Sequence, residues 1–203
     1  MDSSTSADTT RDRIVAAAKA EFSRYGIAGA RIERIAKAAK TSKERLYAYF
    51  RSKEALYHFV AEQELAAVAE ATRLDPTDLP GYAGRVHDYF VSHPDRLRII
   101  EWGRLELGSD GSRIDDATQE VVQHKVEQLR QAQEAGQLDS EWEPIDILVF
   151  VNQIAVGWAG QVDFVDSVAA LVRDPSPSAR HAAVVAAVQR LFPAGGQPGQ
   201  RST

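Results

Sequence analysis

Between positions 43 and 53 the chain gathers Lys43, Glu44, Arg45, Tyr47 and Lys53. Side chains of these types share one chemistry, hydrogen bonding to nucleobase edges and to phosphates. A guanidinium such as that of Arg45 can bond a guanine edge through two N–H groups, the ammonium groups of Lys43 and Lys53 can neutralise phosphates, and the Tyr47 hydroxyl can donate to a phosphate oxygen. Glu44 is the exception. Its carboxylate can accept from a cytosine amino group but is otherwise repelled by phosphates, so it is expected to read cytosine or to pair with Lys40 or Arg45.

Such groups act together only if a rigid element presents them on one face. With Leu46 and Phe50, one helical turn apart, taken as the inward direction, Glu44 and Ala48 point away and Arg45 and Tyr47 flank that outer face. Ser42 is a suitable N-cap, so a helix is predicted over 43–49. Ile32, Ile35, Ala36 and Ala39 follow the i, i+3, i+4, i+7 pattern of a short preceding helix, over 31–39, with Lys40-Thr41 as its turn. A first helix is expected from Thr9 or Thr10, where a hydroxyl followed by Asp12 resembles a capping box. It runs to Tyr25 with Ile14, Ala18, Phe22 and Tyr25 on one stripe, and Gly26 suits a left-handed C-terminal cap. Ser52 opens a fourth helix carrying Leu56, Phe59, Val60 and Leu65, which runs to about Thr72 before Asp75-Pro76 stops it. Two short helices across a tight turn, the second exposing polar groups, form a helix-turn-helix, whose second helix enters the DNA major groove. The competing reading is that the same charges are only a solvated helix face.

Helical periodicity continues over 81–91, 94–107, 114–135 with Gly136 as cap, 144–165 and 178–192, and no alternating apolar run suggests a strand. The expected fold is all-α with about nine helices. An N-terminal tail (1–9) precedes a helix-turn-helix DNA-binding domain (10–55), then a helical ligand-binding and dimerisation domain (56–192) and a Gly/Pro/Gln-rich tail (193–203). Both tails read as disordered.

The formal charge of -5 conceals a segregation. Positions 8–55 hold 12 Lys/Arg against 6 Asp/Glu, and 56–203 hold 12 against 22, a cationic end on an acidic remainder. Cysteine is absent, as is usual in a reducing compartment, and no signal peptide or membrane-spanning run is legible, so a soluble cytoplasmic chain is expected. None of the G-x-S-x-G, P-loop, G-x-G-x-x-G and H-E-x-x-H patterns occurs, and no two of the five histidines share a helical turn. Neither catalysis, a cofactor nor a metal site is expected.

The stretch Arg13–Val60 resembles the DNA-binding domain of the tetracycline repressor (TetR) family. Ala18, Phe22 and Gly26 carry the likeness in the first helix, Ile35-Ala36 in the second, Leu46-Tyr47 and Tyr49-Phe50 in the third, and Ser52-Lys53-Glu54 with Leu56 in the fourth. The resemblance implies a ligand-responsive transcriptional repressor acting on double-stranded operator DNA as a homodimer. It places base and phosphate contacts on Thr41, Lys43, Glu44, Arg45, Tyr47, Ala48 and Tyr49, with Lys53 on phosphate. Four positions depart from the usual pattern. Ala30 and Arg31 stand where a hydroxyl pair commonly caps the second helix, and Lys40 and Glu44 replace frequent glycines, so Arg31 and Glu44 make the DNA-facing surface atypical. A lysine in a left-handed turn costs about 1 kcal/mol relative to glycine.

In the remainder, the nearly all-apolar segment 146–158 embeds Asn152 and Gln153, amides that need either a ligand or a core network. The resemblance implies a cavity for a small effector, with Trp102, Asn152, Gln153 and Trp158 as its candidate contacts. The last helix aligns Val184, Val185, Val188 and Leu191. That face reads as ordinary core or, by the resemblance, as a dimer interface. The alternative function is a helical small-molecule-binding protein or enzyme that does not touch DNA, and a nonspecific architectural DNA binder is a third.

Overall fold

The computed structural model describes residues 3–107, 116–161, 164, 167, 169–171 and 173–193, and no strand occurs among them. The helices are α1 (Ser3–Gly29), α2 (Ile32–Ala38), α3 (Lys43–Tyr49), α4 (Lys53–Ala71), α5 (Leu79–Ser92), α6 (Pro94–Glu106), α7 (Asp116–Glu134), α8 (Pro144–Val156) and α9 (Pro177–Leu191). The all-α expectation holds. The helix α1 begins at Ser3, ahead of the expected cap at Thr9 or Thr10, and α8 stops at Val156 rather than near 165.

Two compact units form, one from 1–67 with 95–113 and the other from 68–94 with 114–203. The sequence boundary at 55/56 therefore misses that α6 belongs with the N-terminal helices, a long-range association that leaves no periodic trace.

In the first unit Ile14, Ala18 and Phe22 of α1 are fully buried with Ile35 of α2, Leu46 of α3, Leu56 of α4 and Ile99 of α6. Tyr25 departs from the expected stripe and is 40% exposed, with the Arg34 guanidinium 4.4 Å from its ring. In α4 the inward positions fall to Tyr57 and Glu64 instead of Phe59 and Leu65. The Tyr57 ring meets Phe22 edge-on at 5.3 Å and its hydroxyl donates to the Ile99 carbonyl of α6 at 2.6 Å. Burial pushes that phenol up to about 12. Glu64 is held between Lys19 at 2.7 Å and Arg96 at 2.9 Å, the compensation a buried carboxylate requires.

The turn between α2 and α3 takes the strained form expected of it. Lys40 adopts φ 53°, Thr41 N–H donates to Ala36 O and Lys40 N–H to Lys37 O, the paired bonds of a left-handed helix stop. Glycine is unstrained there, so Lys40→Gly is expected to raise the unfolding free energy by about 1 kcal/mol, read from urea denaturation. A lowered midpoint would show that the lysine side chain contributes packing that outweighs the strain.

In the second unit α5 lies between α8 and α9, presenting Tyr82, Val86 and Phe90 to Ile147, Val151 and Ala155 of α8 and to Val184 and Val188 of α9. Gly84 permits the close approach of α9, since a Cβ there would lie 2.8 Å from the His181 ring. Buried His87 faces the Ala155 carbonyl through Nδ1 at 3.1 Å, which places its proton on that nitrogen. The expected stop at Gly136 is present, with φ 71° and the same pair of closing bonds.

Candidate nucleic-acid interface

The element that presents the polar cluster is seven residues long, so its ends decide its stability. Ser42 caps α3 by accepting from the Arg45 backbone N–H at 3.1 Å, and Ser52 Oγ accepts from Ala55 N–H at 3.0 Å at the start of α4. The helix α2 lacks a local cap. Arg31 occupies its N-cap position without a side-chain bond, and Glu21, reaching from α1, accepts from the Arg31 backbone N–H at 2.9 Å and from Arg34 Nε at 2.6 Å. The missing hydroxyl pair at Ala30 and Arg31 is thus replaced by a buried carboxylate ten residues earlier. Sequence reading missed Glu21, since between Lys19 and Arg24 nothing distinguishes an acid that caps another helix from one that faces solvent.

Leu46 is fully buried and Phe50 is 6% exposed, which turns Lys43, Glu44, Arg45, Tyr47 and Ala48 to solvent. Thr41, Tyr49 and Lys53 are half-buried at its edges and Arg31 is exposed at the head of α2. The guanidinium of Arg45 has no bonding partner among the described residues. All nine predicted positions thus fall on the contiguous α2–α4 segment of the first unit. Arg31, Lys43, Arg51 and Lys53 face Glu33 and Glu54 across an open groove of about 430 Å³, also lined by Tyr47.

Two carboxylates modulate this surface. Glu44 pairs with neither Lys40 nor Arg45. Its own first-turn backbone N–H and then the Ser42 hydroxyl bond it and hold it below the usual glutamate range. Glu33, missed in the sequence, bonds Lys43 Nζ at 2.5 Å; the bond lowers the Glu33 carboxyl and raises the Lys43 ammonium. Lys53 Nζ donates to the carbonyls of Ala28 and Ala30, each at 3.4 Å.

The candidate effector residues are divided between the two units. Trp102 belongs to the first unit, where its ring would lie 3.0 Å from a Cβ at Gly26. In the second unit Asn152 turns toward Tyr82, Gln153 is exposed, and Trp158 lies 4.8 Å beneath the Arg180 guanidinium. The candidate dimer residues differ in exposure. Val184 and Val188 are 2% and 0% exposed in the protomer's own core, Val185 packs toward Gly84, and Leu191 is 38% exposed. Apolar spacing marks a buried face but not whether its own chain or a second copy buries it. The large apolar groups left exposed include Ile145, Val149 and Phe150 of α8.

A capped short helix with a buried inner edge and a cationic, aromatic outer edge defines an all-α protein of the helix-turn-helix class. The model for bacterial regulatory proteins of the tetR family matches residues 14–60, and that for the tetracyclin repressor-like C-terminal domain matches 78–190. The chain belongs to the TetR family. It is 37% identical over 152 residues to the HTH-type transcriptional repressor SCO4008 of Streptomyces coelicolor, covering 75% of this chain and 79% of that one. It is also 37% identical over 139 residues to the HTH-type transcriptional repressor NicS of Pseudomonas putida, covering 64% and 65%. The crystal structure of SCO4942 from Streptomyces coelicolor shares 56% identity and superposes with a TM-score of 0.82, covering 91% of this chain and 98% of that one. A TetR-like regulator from Rhodococcus, 18% identical with a TM-score of 0.62 over 89% and 94% of the two chains, shares the fold.

Proposed function

We propose that the chain is a transcriptional repressor that binds a palindromic operator as a homodimer and leaves it when a small molecule occupies the second unit. The observation that carries the DNA-binding reading is the outer face of α3, where Arg45, without a side-chain partner among the described residues, stands beside Lys43 and Tyr47 on a helix capped by Ser42. In this reading Arg45 reads a base edge, Tyr47, Lys43 and Lys53 hold phosphates along the groove, and Thr41, Ala48, Tyr49, Arg31 and Glu44 complete the contact surface. One such head reads few base pairs, and a dimer joins two at high effective concentration. The exposed α8 residues Ile145, Val149 and Phe150, with Leu191 of α9, are the apolar groups that a second copy would cover. The helix α4 contributes residues to both units without a break from Lys53 to Ala71, a continuous element through which effector binding could reposition the heads.

Selection of genomic fragments by the purified chain, followed by footprinting, tests this reading. The expected product is an inverted repeat whose half-site centres lie one helical turn, or a multiple of it, apart; recovery of unrelated fragments without a repeat refutes it.

The Glu33–Lys43 pair adds a second expectation. A carboxylate bonded to a phosphate-binding ammonium must be released for DNA to engage, so Glu33→Gln should strengthen binding to operator and nonspecific duplex alike. The slope of log affinity against log salt should steepen by about 1. Mobility shifts over a salt series measure it, and unchanged slopes would remove Lys43 from the phosphate contacts.

A further inference from the structure

The second unit holds a polar cluster that its packing does not require. Tyr82 of α5 is 1% exposed, yet its hydroxyl donates to Asn152 Oδ1 of α8 at 3.1 Å and accepts from Lys125 Nζ of α7 at 3.3 Å. Asn152 Nδ2 donates to Leu148 O at 2.7 Å, which leaves its second N–H available. The Lys125 ammonium also lies 5.5 Å from the Tyr82 ring, so its closest partners are a neutral phenol and a π-face. On the helices that carry the cluster, Val86, Leu148 and Leu129, the last one turn along from Lys125, are buried apolar residues.

Half-buried charge of this kind normally takes a carboxylate partner. Among the described residues no carboxylate bonds Lys125: Asp78 pairs with Arg85, Asp88 with His181 and Glu127 with Arg130, while Asp146 is exposed. A partly desolvated ammonium without a counter-charge destabilises the apo fold, and such groups concentrate at sites that bind something. Two free ammonium N–H groups and one free amide N–H therefore lie beside a phenol whose own proton is given to Asn152. This donor set matches the two oxygens of a carboxylate.

Resting on the ligand-released repressor reading above, we infer that the effector is an organic acid with an apolar body, its carboxylate received by Lys125 and Asn152, which the Tyr82 hydroxyl holds together. One oxygen accepts from Lys125 Nζ and the other from Asn152 Nδ2, with Tyr82 between them.

The test uses the full chain with octanoate and 4-phenylbutyrate, each beside its primary amide. Both acids are expected to raise the wild-type Tm by about 3 °C or more while the amides leave it unchanged. Lys125→Met should weaken acid binding at least tenfold, keep operator affinity, and melt no lower than wild type without ligand, whereas Lys125→Arg should keep the preference for acids. Amides as effective as acids, a Lys125→Met variant that binds acids normally or melts lower, or no response to either acid overturns the inference. Operator mobility shifts in the same samples separate the two readings. Operator bound by a chain that neither acid stabilises leaves the DNA-binding assignment standing and removes this one, whereas acids that stabilise the chain without releasing operator keep the acid site and remove the release mechanism.

Discussion

Gly26→Ala should destabilise the first unit by about 3 to 5 kcal/mol, from backbone strain and the loss of a charged cap acting together. Gly26 adopts φ 68° and ψ -175°, a region essentially confined to glycine and different from the left-handed cap that the sequence suggests. Holding a non-glycine residue there costs about 1 to 3 kcal/mol. The new Cβ would also collide with Glu106 Oε1 and stand 3.0 Å from the Trp102 ring. That carboxylate closes the kink, accepting from Ile27 N–H at 3.1 Å and Ala28 N–H at 2.6 Å, and displacing it orphans both donors. Against a total stability of about 5 to 15 kcal/mol, the expected loss is a large fraction. Urea denaturation followed by circular dichroism measures it.

Glu106→Ala removes the cap without the strain, so its loss should be about 2 kcal/mol, and the double variant should fall short of the sum of the two. Gly26→Ala unfolding within about 0.5 kcal/mol of wild type would mean that the kink is not fixed by Glu106, and strict additivity would mean that the two residues act separately.

The contrast between Gly26 and Lys40 shows what was legible in the sequence. Lys40 sits in a turn whose bonds are local, and the family's usual glycine at that position announces the left-handed geometry; the hydroxyl caps at Ser42 and Ser52 are equally local. The outward face of α3 follows from two buried positions, Leu46 and Phe50, on one turn. Glu106 is 79 and 78 residues from the two amides it caps, and the Glu21 cap on α2 and the Glu33–Lys43 pair likewise join different helices. Hydrophobic period carries no record of such pairings, because an acid on a helix face looks the same in sequence whether it meets water, a lysine or a backbone N–H. The same limit explains the last helix, where the valine line is apolar for the benefit of α5 and α8. In α8, Asn152 and Gln153 are adjacent in sequence but 100° apart on the helix, so one enters a cluster and its neighbour faces solvent.

Arg45→Ala and Lys53→Ala should weaken operator binding in different ways. The Arg45 guanidinium has no partner among the described residues and lies on the outer face of a capped helix, so in a major groove it presents two parallel N–H groups to one base. Truncating it should cost about 1 to 3 kcal/mol on the selected operator and relax the preference at a single position of each half-site, with nonspecific affinity much less affected. Lys53 is tied to the carbonyls of Ala28 and Ala30, which holds its ammonium at the groove as a point charge without sequence information. Its removal should weaken every duplex by a similar factor and flatten the salt dependence by about 1. Competition binding against an operator library, repeated at several salt concentrations, separates the two behaviours. If both variants lose affinity uniformly over the library, Arg45 contacts the backbone, and sequence reading must be reassigned to the remaining outward groups of α3, with Glu44 and its cytosine-accepting carboxylate the first to substitute.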